Sequence, residues 1–267
     1  MASVYRVVDT YGDTYALKVP HTHRLDEAEA TARFLREMEI GQSLHHPGIV
    51  RIFEVHHGDD STPPFIVLED LDGQTLHQYI KANAPLKESH ACDLIVEVLE
   101  ALSYAHDHHV IHRDIKPANI MMPRRGKLRI MDFGIARSTR MQTMTGTDVT
   151  LGTPDYMAPE QIDSHNVSTQ ADIYSIGTVL FEMLTGRLPF TESDPYRLLL
   201  HKIEDEAPRV SSFRPEVTRR MDNLVALLLH RDPTRRPSSA AQLVRVLQQL
   251  RQNPSEDADP PASAKRS

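Results

Sequence analysis

The segment at residues 110–122, VIHRDIKPANIMM, constrains this chain more than any other, because it sets polar residues between short apolar runs. Asp114, Lys116 and Asn119 follow one another at intervals of two and three residues. This spacing suits a loop between two small strands that directs several polar groups into one cleft. In such a cleft Asp114 can accept a proton from a hydroxyl, Lys116 can neutralise a phosphate, and Asn119 can hold a metal ion.

A second carboxylate follows in the tripeptide Asp132-Phe133-Gly134, thirteen residues after Asn119. Together the two segments match the catalytic loop and the metal-binding loop of the protein kinases. The chain therefore resembles a Ser/Thr protein kinase of the kind common in bacteria, from about residue 4 to about residue 250. This resemblance implies transfer of the γ-phosphate of ATP to Ser or Thr hydroxyls of proteins.

The resemblance also implies an α+β fold with two lobes. A small β-rich lobe that lacks its first strand would cover residues 1–69, a hinge residues 70–73, and a larger helical lobe residues 74–251. ATP would bind in the cleft between the lobes. Residues 252–267 shift to Pro, Ala, Ser and charged residues, which predicts a disordered polar tail.

Two apolar runs at residues 4–8 and 14–19 flank a turn-forming stretch and predict a β-hairpin. Strand alternation puts Ala16 and Lys18 on one face of the second strand. Taken alone, Lys18 reads as a surface lysine on an edge strand, whereas the resemblance makes it the lysine of the ATP site.

A helix is predicted at residues 26–43 from its composition and apolar spacing. It carries Glu37, which the resemblance pairs with Lys18 and which would otherwise be a solvated helix charge. Four residues later Gly41 stands where the family places an apolar side chain against Phe133. Glycine brings no packing, which predicts a looser contact there.

The resemblance assigns the remaining site residues by position. Leu68 matches the gatekeeper, and the backbone of Glu69 and Leu71 in the following hinge would bind the adenine edge. The predicted nucleotide-contacting set is Val4, Ala16, Lys18, Leu68, Glu69, Leu71 and Met121. The predicted catalytic set is Asp114, Lys116, Lys18 and Glu37, while Asn119 and Asp132 would hold Mg²⁺.

The stretch GTPDYMAPE at residues 152–160 resembles the substrate-docking segment of the family. Thr153 would hydrogen-bond Asp114 and Lys116, and Glu160 would pair with Arg236. Asp172 would accept hydrogen bonds from backbone N–H groups of the catalytic loop.

Residues 138–149 are rich in hydroxyls and predict a surface loop. Within it Thr145 and Thr147 are predicted autophosphorylation sites, although the loop can also carry these threonines by coincidence.

The family's glycine-rich phosphate loop ends in a Val that Val4 matches, which puts Ala2 where the third Gly belongs. The first two glycines and the first strand would lie before Met1. Two explanations follow: either further chain lies upstream, or the protein is a weak kinase or pseudokinase that serves as a binding module. The joint presence of all six family residues, from Lys18 to Asp132, favours a genuine kinase lineage.

Composition excludes several other classes. The net charge of −7 argues against nucleic-acid binding, and no apolar run reaches membrane-spanning length, which predicts a cytoplasmic protein with no membrane partner. The single cysteine, Cys92, is predicted to be a buried helix residue.

A small-molecule phosphotransferase would use a similar set of polar residues, but the docking segment favours a protein substrate. A purely structural helical protein would not need this polar cluster.

Overall fold

The computed structural model describes residues 2–20, 35, 38–59, 61–133, 154–162 and 167–252. Four strands form the first sheet: β1 Ala2–Val8, β2 Thr14–Pro20, β3 Ile52–His56 and β4 Phe65–Glu69. They pair antiparallel in the order β1-β2-β4-β3.

The hairpin formed by β1 and β2 confirms the prediction at residues 4–8 and 14–19. Its turn closes through the amide of Asp9, which donates to the carbonyl of Asp13 at 2.9 Å. Gly12 has a φ of 92°, a conformation that side chains with a Cβ rarely adopt. The pairing register sets Val4 opposite Lys18 and so directs both side chains to the same face of the sheet.

A second, three-stranded sheet lies beside the polar loop: β5 Gly73–Thr75, β6 Ile120–Pro123 and β7 Arg129–Ile130. The prediction of a strand on each side of the loop is only half correct, because β6 forms while residues 110–112 join no sheet. The reason is a tertiary contact: the amide of His112 donates to the carboxylate of Asp172 at 2.9 Å instead of to a neighbouring strand.

Six helices carry most of the larger core in the described part of the chain. They are α1 Leu76–Asn83, α2 Glu88–Asp107, α3 Gln170–Thr185, α4 Pro195–Glu204, α5 Arg219–Leu228 and α6 Ala240–Gln252. The helix α3 is buried on nearly every side and forms the centre of this core. At Gly177 an added Cβ would lie 2.7 Å from the Cβ of Leu228, so the glycine lets α3 and α5 approach closely.

The helix α1 begins after a capping box in which Thr75 and Gln78 bond each other's backbone amides. Of the helix predicted at residues 26–43, residues 35 and 38–42 are helical, while residues 26–34, 36 and 37 lie outside the described residues. Cys92 is buried in α2 as predicted, and burial raises the pKa of its thiol to about 11. Among the helices described here, none is both long and apolar enough to cross a bilayer.

Candidate active site

A cavity of about 280 Å³ lies between the two sheets. All seven residues that the resemblance assigned to the nucleotide line it: Val4, Ala16, Lys18, Leu68, Glu69, Leu71 and Met121. Alternation along β2 explains two of them, because Ala16 and Lys18 share the face that turns toward the cavity. The structure thus brings residues from β1, β2, β4, β6 and the segment after β4 to one apolar chamber with a few polar groups at its edge.

The back of the cavity is formed by the helical residues Met38 and Gly41 together with Ile52 and Phe133. A Cβ at Gly41 would lie 2.9 Å from the Cδ1 of Ile52, so the end of that isoleucine fills the space beside the glycine. Phe133 is 5% exposed and packs against the ring of His112, with 4.8 Å between the ring centroids. The aromatic ring is therefore buried without an apolar side chain at position 41.

Lys18 and Asp132 form an ion pair across the cavity, with 2.5 Å between Nζ and Oδ1. Their side chains are 14% and 46% exposed, respectively. Asp132 has a φ of 54°, a left-handed conformation that is costly for a residue with a Cβ. The predicted partner of Lys18, Glu37, lies outside the described residues, so that pairing stays a prediction.

The polar residues of the loop at 110–122 meet in one cluster. The Nζ of Lys116 lies 3.0 Å from Oδ2 of Asp114. The side-chain amide of Asn119 donates to the backbone carbonyl of Asp114 at 2.9 Å and to its carboxylate at 3.0 Å. Because Nδ2 faces Asp114, the other end of the carboxamide is an oxygen that can take a cation.

This cluster is tied to the segment that carries Asp132. The backbone amide of Met131 donates to the carbonyl of Asn119 at 2.8 Å. One carboxylate and one carboxamide oxygen thus come from adjacent chain segments. Mg²⁺ is commonly held by one or two carboxylates together with substrate phosphates and water, so Asp132 and Asn119 suit that ion.

Asp172, at the start of α3, holds the catalytic loop as predicted. Its carboxylate accepts from the backbone amides of His112 at 2.9 Å and Arg113 at 2.8 Å, and from Nε2 of His106 at 2.8 Å. Burial raises the pKa of this carboxyl, but the hydrogen bonds from the His106 side chain and the His112 backbone amide help to lower it, and the pKa lies below its ordinary value. The buried anion therefore stabilises the left-handed backbone of Arg113, whose φ is 64°.

His112 has a role that the sequence did not reveal. Its Nδ1 accepts from the amide of Asp114 at 3.2 Å, and its Nε2 donates to the carbonyl of Met131 at 2.9 Å. One ring nitrogen accepts and the other donates, which is the pattern of a neutral imidazole. The fully buried ring thereby connects the catalytic loop to the segment before Asp132.

The described part of the predicted docking segment, residues 154–160, packs against α3 and α4. The predicted pair forms: Arg236 donates to the two carboxylate oxygens of Glu160 at 2.6 and 2.9 Å. Tyr156 donates its hydroxyl to Glu182 at 2.6 Å. The predictions at Thr145, Thr147 and Thr153 fall outside the described residues.

The docking segment is also joined to the catalytic loop. The side-chain amide of Gln161, just after the segment, donates to the carbonyl of Arg113 at 3.0 Å. The arrangement thus combines a cavity with a cation at its wall, a carboxylate poised to accept a proton, and two oxygen donors for a metal ion. Such a set can position a nucleotide and a hydroxyl for phosphoryl transfer.

Known proteins share this architecture. The chain is 39% identical to the probable serine/threonine-protein kinase PknB of Lactococcus lactis over 227 residues, covering 84% of this chain and 36% of that protein. It is 35% identical to the serine/threonine-protein kinase PrkC of Bacillus subtilis, covering 90% of this chain and 37% of that protein. The chain thus spans a little over a third of the length of these curated relatives.

A solved structure agrees with the sequence relatives. The kinase domain of Mycobacterium tuberculosis PknI, crystallised as a double mutant, superposes with a TM-score of 0.72 at 25% identity. The match covers 94% of this chain and 91% of that one. The family model described as "Protein kinase domain" matches residues 1–249. This chain therefore belongs to the protein kinase domain family.

Proposed function

We propose that this chain is a Ser/Thr protein kinase that transfers the γ-phosphate of Mg·ATP to hydroxyls of proteins. The observation that carries the proposal is the cluster of Asp114, Lys116 and Asn119 beside a cavity walled by Lys18 and Asp132. Relatives named as serine/threonine-protein kinases support the same reaction.

Each of these side chains has a distinct role in the proposed reaction. Lys18 orients the inner phosphates of the nucleotide from the wall of the cavity, and Lys116 neutralises the charge of the group in transfer. Asp114 accepts a hydrogen bond from the substrate hydroxyl and takes up its proton as the new P–O bond forms and the bond from the γ-phosphorus to the leaving ADP breaks. Asn119 and Asp132 would hold the metal ion, which, when bound, would offset the negative charge of the phosphates.

The nucleotide would replace contacts that the cavity makes without it. Lys18 is paired with Asp132 at 2.5 Å. Binding of the nucleotide and metal ion would therefore have to separate this ion pair, so that Lys18 can contact phosphates and Asp132 can contact the metal ion. The aliphatic wall of Val4, Ala16 and Met121 suits the flat apolar faces of a purine. The backbone of Glu69 and Leu71, which also line the cavity, would bind the edge of the purine.

The anchoring of the docking segment to the helical core supports a protein substrate. Arg236 is 5% exposed and binds Glu160 with two hydrogen bonds, so the end of the segment is held firmly to the helical core. Through Gln161 the adjoining backbone also contacts the catalytic loop. A surface held in this way beside Asp114 suits an extended polypeptide better than a small metabolite.

The test measures transfer of γ-labelled phosphate from Mg·ATP to the chain itself and to a generic basic protein. Asp114→Asn keeps the shape of the side chain and removes the proton acceptor, so we expect the rate to fall by about a hundredfold or more. Asp93→Asn, which changes an exposed carboxylate paired with Arg251, is the matched control and should retain the rate.

Two outcomes would contradict the proposal. Equal rates for the wild-type chain and the Asp114→Asn variant would remove Asp114 from the chemistry. Tight binding of Mg·ATP with no transfer at all would instead support the binding-module alternative.

A phosphopeptide map of labelled protein tests the autophosphorylation predicted at Thr145 or Thr147. The prediction fails if neither residue carries label.

A further inference from the structure

A buried lysine on α4 contacts the docking segment from the side of the core. Lys202 shares the inward face of α4 with Leu198 and Leu199 and is 1% exposed. Its ammonium donates to the backbone carbonyls of Pro154 at 2.8 Å, Asp155 at 2.5 Å and Met157 at 2.9 Å. An ammonium has three N–H donors, so these three carbonyls use all of them.

Side chains from the helices satisfy four consecutive carbonyls of the docking segment. Lys202 binds those of residues 154, 155 and 157, and the carbonyl of Tyr156 between them accepts from the hydroxyl of Ser175 at 2.8 Å. The two short 3₁₀ turns of this stretch, Pro154–Tyr156 and Pro159–Gln161, supply few backbone partners of their own. The path of this backbone is therefore set largely by the position of the Lys202 amine.

A lysine is a costly choice for a position that packing alone would fill with an apolar side chain. Burying an ammonium is unfavourable unless every N–H finds an acceptor. The groups that face Lys202 are the ring of Tyr174, 5.6 Å away, and the carboxylate of Asp155. Arg236, itself bound to Glu160, lies over the same ring at 4.9 Å. The contacts with the carbonyls are thus the feature that explains a cation here.

We propose that Lys202 is a positioning residue that sets the docking segment against the catalytic loop and so determines the affinity for the protein substrate. The inference rests on the proposed kinase function. Lys202 acts through the segment and touches neither ATP nor the reacting atoms, because the cavity is lined from other elements. The contact from Gln161 to the carbonyl of Arg113 carries its effect toward Asp114.

The first test measures the KM for the protein substrate and the KM for ATP separately. Lys202→Met removes the three hydrogen bonds of the ammonium, and we expect the KM for the protein substrate to rise about tenfold while the KM for ATP stays within about twofold. Lys127→Met is the matched control, because it removes an exposed lysine that donates to Glu100 at 2.7 Å. An unchanged KM for the protein substrate, or an equal rise in both KM values, would overturn the proposal.

A second variant, Lys202→Arg, keeps a positive charge at this position across the pH range of the assay. Burial lowers the pKa of Lys202 to about 7, so a rise in pH removes a donor and leaves one carbonyl without its partner. The KM for the protein substrate should therefore rise between about pH 7 and 9 in the wild-type chain. In Lys202→Arg it should stay level, because a guanidinium remains charged. Equal pH profiles for the two proteins would contradict the role of the ammonium.

A third measurement does not depend on activity and so separates this inference from the kinase proposal. Amide hydrogen exchange, read by mass spectrometry, should be faster at residues 154–161 in Lys202→Met and unchanged there in Lys127→Met. If the wild-type chain transfers no phosphate yet this difference appears, the kinase proposal fails while the anchoring role stands. If transfer occurs but exchange at residues 154–161 is unaffected, Lys202 does not position the segment.

Discussion

Asp172→Asn tests whether the buried carboxylate holds the catalytic loop in its active form. The variant keeps the volume of the side chain but replaces one acceptor oxygen with an NH₂ group. The native carboxylate accepts from two backbone amides and from His106, all at 2.8–2.9 Å. At least one of these three buried N–H groups would lose its acceptor, at a cost of about 1–3 kcal/mol.

The remaining contacts of the variant also weaken, because they lose the assistance of the negative charge. That adds roughly 1 kcal/mol for each remaining bond, and the lower desolvation cost of a neutral amide offsets part of it. We therefore expect the free energy of unfolding to fall by about 3 kcal/mol, a large fraction of the roughly 5–15 kcal/mol typical of a folded protein. Phosphate transfer should fall as well, because Arg113 would leave its left-handed conformation and displace Asp114.

The assay is urea unfolding of the wild-type chain, Asp172→Asn and the exposed control Asp93→Asn. The control should lose less than about 1 kcal/mol, as expected for an exposed ion pair. A loss below about 0.5 kcal/mol in Asp172→Asn, with an unchanged transfer rate, would refute the argument.

The pH dependence gives the Asp172 prediction a second check. The folded-state pKa of Asp172 lies below its ordinary value, so its contribution to stability is present above that value and is lost as the pH falls through the folded pKa. The difference in unfolding free energy between wild type and Asp172→Asn should therefore shrink below about pH 4. A difference that stays constant down to pH 2 would contradict a carboxylate anchor.

Three further predictions follow from single contacts. Arg236→Met should lower the free energy of unfolding in urea titrations by about 3–5 kcal/mol, because it removes both hydrogen bonds to the partly buried Glu160, and adding Glu160→Gln should recover part of that loss. Lys18→Met should lower phosphate transfer by an order of magnitude or more while changing the melting temperature little, since the cation acts on phosphates at the cavity wall. The change that Gly41→Ala makes in the free energy of unfolding should be more favourable by about 0.5–1 kcal/mol in an Ile52→Val background than in wild type. The reason is that Ile52→Val removes the Cδ1 atom that a new Cβ at position 41 would contact. Equal effects in both backgrounds would exclude the contact.

Much of the candidate site could be predicted because its residues lie close together in the chain. Asp114, Lys116 and Asn119 occupy one short loop, and Ala16 and Lys18 share a strand face through simple alternation. Position within the family pattern was enough to name seven residues that line the cavity. The strand expected before the loop was wrong, because Asp172, far along the chain, takes the amide that a strand partner would have used.

The sequence by itself determined the family, the mixed fold and the identity of the polar groups at the cavity, since these follow from local spacing and alternation. Only the tertiary structure decided that Lys18 contacts Asp132, that His112 bridges two segments, and that Lys202 is buried beneath the docking segment. In sequence, Lys202 looks like a surface lysine on an amphipathic helix. Its burial depends on three backbone carbonyls that lie more than forty residues away in the chain. A local sequence pattern cannot predict these acceptors, because only folding brings their segment to the lysine.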